Sequence, residues 1–375
     1  MDVAYQPGVR ILAIGDPQAP FQRVLDVLDR HAALDGDRIA DDVQLVSIGD
    51  HFDYDVADPI TAGQQGLQLL RWLASHDRDH AVIVFGNHDA ARVMELAGLD
   101  DARFAAARAL GRSIEQTKKT DGKPAAERRE RDEFAVQFPD IPTSGIAARD
   151  YASFSVEQRD LVIELLLAGR FELALPATLA DGRTVLVSHA GVTTRELGLA
   201  MIPTERDPRA IAARLQAWFT GAIDGVRDDW RRGVPTPLSL EPLHVAGSTG
   251  EEGGGLLYHR PSSPTGRGAL PGWAFSAARP RRYDPRQLPA GLRQVAGHTG
   301  HNKCLEELGG DGPTDAARAK PRGGIRTLRV AGGVVTYDLG ILPDDPSAAD
   351  MYMIDGELRR VDPADYALLP LASIG

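Results

Sequence analysis

Five short segments of this 375-residue chain end an apolar run on a side chain that offers an oxygen or an imidazole nitrogen. They are Gly15-Asp16-Pro17-Gln18, Gly49-Asp50-His51-Phe52-Asp53, Gly86-Asn87-His88-Asp89, Ser188-His189-Ala190-Gly191 and Gly297-His298-Thr299-Gly300-His301. The runs before the first three, residues 9–14, 43–48 and 81–85, have the length and composition of buried strands. Between them the spacing turns helical: Phe21, Val24, Leu25, Leu28, Ala32 and Leu34 predict a helix over 21–34, and a second is predicted over 62–74. Such alternation implies βαβ units and a mostly parallel sheet. Ligands of open α/β sheets bind in the loops at the carboxyl ends of the strands, where these segments fall.

The pattern then changes. Residues 99–150 read as a charged helical insertion, whose sign-alternating stretch Glu127-Arg128-Arg129-Glu130-Arg131-Asp132-Glu133 is a solvated helix face. A helix over 156–167 leads to a strand at 184–187 and the fourth segment. A second insertion or cap is expected over 203–243, with Trp218 and Trp230 as core or cap anchors. Residues 261–286 are rich in Pro, Gly and Arg and read as a loop, with Arg279, Arg281, Arg282 and Arg286 solvated on it. A second flexible stretch is expected over 309–324, and a hairpin around Ala331-Gly332-Gly333. The expectation is one domain, 1–375, carrying two insertions.

A formal net charge of −11 argues against a nucleic-acid partner, whose phosphate backbone is held by Lys and Arg releasing counterions. It leaves room for a small phosphorylated substrate whose charge is met by metal ions. No apolar run reaches the roughly 18 residues that span a bilayer, so no membrane is expected. The start, Met1-Asp2-Val3-Ala4-Tyr5, lacks the basic and apolar regions of a secretory signal. Cys304 is the single cysteine, which excludes an intrachain disulfide, suits a cytoplasmic location and reads as a small buried residue.

Asp, Asn and His are the donors that hard or borderline divalent cations prefer. Asp50, between segments offering ligands on either side, is the natural bridging carboxylate; Asp16 completes one site, and Asn87, His189 and His298 the other. Two divalent cations about 3.5–4 Å apart activate water and clamp phosphate oxygens for in-line attack. His88, next to a ligand but itself free, is placed to protonate a departing oxygen, with Asp53 orienting its other ring nitrogen. His31, His76, His80, His244 and His259 carry no motif and read as structural.

The five segments resemble the calcineurin-like metallophosphoesterase superfamily, closest to its phosphoprotein-phosphatase branch and the diadenosine-tetraphosphate hydrolases related to it. The patterns GDxH, GDxxDR, GNH(D/E), HxG and GHT match at Gly15-Asp16, Gly49-Asp50-His51-Phe52-Asp53, Gly86-Asn87-His88-Asp89, His189-Ala190-Gly191 and Gly297-His298-Thr299. Leu256-Leu257-Tyr258-His259-Arg260 is similar to the LWYR stretch before GHT. Val334-Val335-Thr336-Tyr337-Asp338-Leu339-Gly340 is similar to the hairpin ending in DxG. The resemblance covers most of the chain apart from the two insertions. It implies an α/β fold: a β-sandwich of two mixed sheets flanked by helices, with the metals at one end. It implies two divalent ions (manganese, iron, zinc or nickel) and a phosphate grip by Arg260.

Two positions depart from the family pattern. Gln18 stands where the family has a histidine ligand; its amide oxygen either binds the first metal weakly or makes a supporting hydrogen bond. His301 is an extra histidine, either a replacement ligand for that metal or a surface residue. Tyr54 stands where an arginine follows GDxxD; Arg92 is a candidate substitute for holding phosphate or an ordinary helix residue. The implied reaction is hydrolysis of phosphomonoesters, on phosphoprotein or a small metabolite, by attack of a metal-bridging hydroxide with His88 as general acid. The alternatives are a phosphodiesterase or dinucleoside polyphosphate hydrolase, favoured by Tyr54, and a metal-binding scaffold without turnover, which would need no general acid.

Overall fold

In the computed structural model, the runs ending at Gly15, Gly49 and Gly86 form strands β1 (Arg10–Ile14), β2 (Val43–Ser47) and β3 (Ala81–Val84). The structure describes residues 8–264, 279–310 and 312–375. The chain start Met1–Tyr5, most of the expected loop 261–286 and one residue of the 309–324 stretch lie outside the described residues. Of the loop arginines, Arg282 pairs with Glu307 at 2.6 Å and Arg286 with Asp284 at 3.2 Å, while Arg279 and Arg281 pair with Glu251 and Glu252.

β2 is buried along its whole length and pairs parallel with β1 and β3. Its polar residues are satisfied, Gln44 donating to the Arg78 carbonyl at 2.9 Å and the Ser47 hydroxyl meeting His51 at 2.9 Å. The helix after β1 runs Phe21–Arg30 and stops short of Leu34, which enters a small hairpin with Arg38–Ile39. The next helix, Pro59–Ala74, starts earlier than its apolar spacing indicates: Asp58 accepts the Thr61 amide at 3.1 Å and Pro59 takes the first turn.

The remaining strands of the main sheet are β4 (Phe171–Glu172), β5 (Ala174–Leu179), β6 (Thr184–Ser188), β7 (Arg293–Ala296), β8 (Arg326–Ala331), β9 (Val334–Leu339), β10 (Ala349–Met353) and β11 (Leu369–Ile374). They form one mixed sheet in the order β9-β8-β10-β7-β6-β5-β11-β1-β2-β3-β4. Ile11, Ala13, Val46, Val82 and Val84 from one half share a cluster with Val185, Val187, Val295 and Tyr352 from the other. No helical residue belongs to that cluster, so the two halves face each other as sandwich layers do. The layers implied as separate sheets are therefore joined: β11 and β5 carry the hydrogen bonds from one half to the other, with a register irregularity between Leu371 and Ser373. Bulges of that kind let a strand bend.

β1, β2 and β3 run parallel to one another, and so do β6, β7 and β10. Their outer faces are covered by helices. Val24, Leu28, Leu70 and Val162 pack on the first group, and Cys304, Leu308 and Ala317 on the second. Residues 99–150 are largely helical, with Asp101–Thr120 the longest element. Their own core of Phe104, Ile114, Phe134 and Phe138 runs into Tyr151, Ala91 and Tyr258. In the sign-alternating stretch Glu127, Arg128, Arg131 and Asp132 are exposed, but Glu130 turns inward and accepts the Ser144 amide at 2.7 Å. Residues 203–243 do not form a cap. The helix Pro208–Arg231 places Ile211, Leu215, Phe219, Ile223 and Trp230 in the main core, with Phe219 and Phe85 rings 5.1 Å apart. No helix among the described residues is long and apolar enough to cross a membrane.

Phe219→Ala should cost about 3–5 kcal/mol in denaturant unfolding, as core phenylalanines do; a cap helix would give a far smaller loss. A second expectation concerns acid. His244 and His301 are fully buried, and burial, reinforced by His259 beside the first and Arg326 beside the second, lowers both to about 3. Their unfolded forms take up a proton near pH 6.5. The stability they contribute is therefore present above that pH and lost as pH falls toward 3, each adding at most about 1.4 kcal/mol per pH unit to the slope. Unfolding free energies measured from pH 7 to 4 should show a shallower slope in His301→Gln; an unchanged slope rejects the assignment.

Candidate metal centre

The loops after β1, β2 and β3 meet those after β6, β7 and β10 at one end of the sheet. Asp50 and His298, each just past a strand, adopt φ of 60° and 62°, and Asp53 adopts 66°. Non-glycine residues occupy that region only where the surroundings hold them. The holding group at Asp50 is the buried Asp89 carboxylate, which accepts the amides of Asp50 at 3.0 Å and Gly86 at 3.1 Å and meets His51 Nδ1 at 2.9 Å. Gly86 must lack a side chain, because a Cβ there would collide with the Asp50 amide and carboxylate.

Asp50, His189 and His298 offer donor atoms that all lie within 4.8 Å of one another. His189 Nδ1 is 2.7 Å from the Ile48 carbonyl, which makes it the N–H and leaves Nε2 toward Asn87 Oδ1 at 3.0 Å and Asp50 Oδ1 at 3.3 Å. Three lone-pair atoms so close need a positive charge among them, a proton or a cation. Burial disfavours the imidazolium of His189, but Asp50 and Asp16 raise it to about 10. Burial likewise opposes ionisation of Asp50, yet His189 and His88 hold its carboxyl far below the usual range. His298 has the opposite tautomer: Nε2 meets the Tyr258 carbonyl at 3.1 Å, and Nδ1 is buried without a partner. An orphaned buried nitrogen beside a carboxylate and a second imidazole fits a divalent cation, since each ring is oriented by a backbone carbonyl as metal-binding histidines are.

His88 flanks this cluster. Its amide donates to Asp50 Oδ1 at 2.8 Å, its Nδ1 lies 2.9 Å from Asp53 Oδ2, and its Nε2 faces Asp50 Oδ2 at 3.7 Å. Asp53 also accepts the Ser153 amide at 2.8 Å and pairs with Arg92 at 2.7 Å. Burial opposes its charge, but Arg92 and His88 keep it strongly ionised. The expectation that Arg92 grips substrate phosphate does not survive its position. It is fully buried, donates to Gln158 at 3.0 Å, the His88 carbonyl at 2.8 Å and Ser153 at 3.1 Å, and stacks over Phe52 at 4.6 Å. It anchors Asp53 instead.

Gln18, Asp16, Asp53, His298 and Arg260 line a cleft of about 310 Å³. Gln18 donates its amide to the Phe52 carbonyl at 2.8 Å, which leaves its Oε1 as the possible ligand atom. Arg260 is half-buried in the cleft wall, and its Nε has no partner. His301 is neither a ligand nor a surface residue: Nε2 meets the Gly324 carbonyl at 2.8 Å, Nδ1 meets the Tyr337 hydroxyl at 3.1 Å, and the ring is buried. Tyr54 lines the same cleft, and Arg359 reaches across to its carbonyl. Sequence reasoning missed Asp355, which lines this cleft too. Burial, with Glu357 and Asp50 adding to it against the Glu357 amide, raises its carboxyl to about 7. Asp16 is raised by burial and then by Asp355. The apolar run before Asp355 was the available signal, the same one that marks Asp16 and Asp50.

Arg92→Met should destabilise by about 3–5 kcal/mol, because it leaves Asp53 charged, buried and without its guanidinium. Arg260→Met should cost far less, within about 1 kcal/mol, because that half-buried guanidinium has no ion-pair partner among the described residues. Chemical denaturation of both variants checks the contrast, and equal losses would undo it.

No curated protein matches this chain. Among matching solved structures is one described as a cold-active protein tyrosine phosphatase. It is 14% identical, the match covers 80% of this chain and 70% of that one, and the TM-score is 0.30. So low a score bears on neither fold nor chemistry. Residues 9–219 match the calcineurin-like phosphoesterases, a span of more than half the chain that holds four of the five donor segments. The chain belongs to the calcineurin-like phosphoesterase family.

Proposed function

We propose that this protein is a dinuclear metal-dependent phosphoesterase acting on phosphomonoesters, with His88 as general acid. The observation that carries the reading is the position of His88. Its Nδ1 is held by Asp53 at 2.9 Å, and its Nε2 is turned toward Asp50 and the donor cluster. A scaffold that only bound metal would have no use for an oriented, partly exposed imidazole there.

Asp16, Gln18 and Asp50 would hold one divalent cation, and Asp50, Asn87, His189 and His298 the other. Bound cations would supply Lewis acidity toward water and the phosphate oxygens. The chain's own groups do the rest. Arg260, in the cleft wall without an ion-pair partner among the described residues, would take a phosphate oxygen as a planar donor. His88 would deliver its Nε2 proton to the departing oxygen. Asp53, ionised and fixed by Arg92 and the Ser153 amide, keeps the ring aligned and supports its positive charge. Tyr151 packs edge-on against His88 at 5.2 Å.

A second reading, a phosphodiesterase or dinucleoside polyphosphate hydrolase, is supported by the cleft wall. Tyr54 contributes an uncharged ring there, and Lys303, Arg359 and Arg360 are already committed to Glu306, Asp55 and Glu357. A doubly charged terminal phosphate would then find Arg260 as its one uncommitted cation among the described cleft residues.

With added Mn²⁺ the protein should hydrolyse an aryl phosphate, and His88→Ala should lose about 10²–10⁴-fold in kcat while binding metal normally. Bis-aryl phosphate and diadenosine tetraphosphate, assayed in parallel, decide between the two readings. Inertness of the metal-loaded protein toward all three esters would leave the scaffold standing.

A further inference from the structure

We propose that Asp355 is a metal ligand of this centre, completing an oxygen-donor site with Asp16 and Asp50. The inference rests on the reading of the cluster as a divalent-metal centre and names a donor that the five segments do not contain.

Topology is the first argument. Two sets of three parallel strands meet end to end, and five of the six deliver a donor from the loop that follows: Asp16, Asp50, Asn87, His189 and His298. The sixth is β10, parallel to β7, and the residue two past its end is Asp355.

Placement is the second. The turn Gly297-His298-Thr299-Gly300 lies over both carboxylates. A Cβ on Gly297 would collide with Asp16 Oδ1, and a Cβ on Gly300 would sit 3.3 Å from Asp355 Oδ2. The two backbones are in contact as well, since a Cβ on Gly15 would fall 2.8 Å from the Asp355 amide nitrogen. The Asp355 backbone therefore packs against Gly15, next to Asp16 in the chain, and Asp355 opens on the cleft that Asp16, Gln18 and His298 also line.

The third argument is what Asp355 lacks. The residue is only 8% exposed; among the described residues Oδ1 accepts the Glu357 amide at 2.9 Å and Oδ2 accepts nothing. No Lys, Arg or His pairs with it among the described residues. The other buried acids of the centre are provided for: Asp53 by Arg92, His88 and Ser153, and Asp89 by two amides and His51. Asp16 receives the His298 amide, at 2.9 and 3.0 Å, and has His189 Nδ1 at 3.9 Å. Two neighbouring buried carboxylates whose nearest positive group is one imidazole, 3.9 Å from Asp16, are costly, and a shared metal ion is the arrangement that removes the cost.

The chemistry that follows is a centre of two unlike halves. Asp16, Asp50, Asp355 and the Gln18 amide oxygen form a hard, all-oxygen set suited to Mn²⁺ or Mg²⁺. The neighbouring set has two imidazoles and accepts softer ions. The seat without a histidine is then filled by a carboxylate from the far end of the chain.

The test is Mn²⁺ titration of metal-stripped protein by calorimetry, with electron paramagnetic resonance as a second readout. Asp355→Asn is the variant, because an Asn oxygen can still accept the Glu357 amide. The unaltered protein should bind two ions and show an exchange-coupled pair. The variant should keep one and bind the other more than about 100-fold more weakly, a larger effect than loss of a supporting hydrogen bond, with the coupled signal replaced by that of an isolated ion. Two ions bound within threefold of the unaltered affinities would overturn the proposal. So would loss of both ions together, which would make Asp355 a scaffold of the loop. If the unaltered protein binds no Mn²⁺, the metal-centre reading itself falls, a result distinct from either.

Discussion

The Asp89 carboxylate touches no Lys or Arg among the described residues, yet the candidate centre depends on it. Fully buried, it accepts the amides of Asp50 and Gly86 and meets the His51 ring. Those bonds lock the loop after β2 to the loop after β3. A backbone amide donates in a fixed direction, so satisfying both at one carboxylate sets the left-handed turn at Asp50 and brings Asn87 and His88 to the same side. Without that anchor the donors would belong to separate loops.

A second anchor makes the centre asymmetric. On one side His88, Asp53, Arg92, Ser153 and Gln158 form a chain of hydrogen bonds in which every charge has a partner. It draws on the edge of the helical insertion, because Tyr151 and Ser153 follow residue 150 and pack against the site. The insertion therefore supports the candidate acid instead of merely decorating the surface. On the other side, around Asp16 and Asp355, carboxylates outnumber their donors. A rigid, satisfied half that holds an imidazole and an electron-rich half that wants cations is a division of labour suited to phosphoryl chemistry.

Much of the centre was legible in the chain because strand ends are local events. An apolar run followed by glycine and a short polar residue is recognisable within a window of about ten residues. The loops so marked do converge. The same window missed β11: its run Leu369-Pro370-Leu371-Ala372-Ser373-Ile374 contains a proline and alternates weakly, and only pairing with β1 and β5 makes it a central strand. It also left the helix Pro208–Arg231 as part of an insertion or a cap. An amphipathic helix looks the same whether its apolar face covers a cleft or a sheet.

Sequence by itself determined the donor types, their order and their attachment to strand ends, because those properties depend on neighbouring residues. Tertiary structure decided what each side chain faces. Arg92, one turn from His88, could have pointed into the cleft; Phe52, Gln158 and Ser153, from distant parts of the chain, enclose it. His301, three residues after His298, sits on a helix that turns it toward Tyr337 and Gly324. Asp355, more than 300 residues from Gly15, is brought against that backbone by the facing of the two halves of the sheet, after a parallel pairing has set its strand beside the one that leads to His298. Spacing along a chain constrains backbone direction over a few residues, whereas burial and charge environment are summed over everything folding brings near. The roles of these three residues could be read only once the chain had closed.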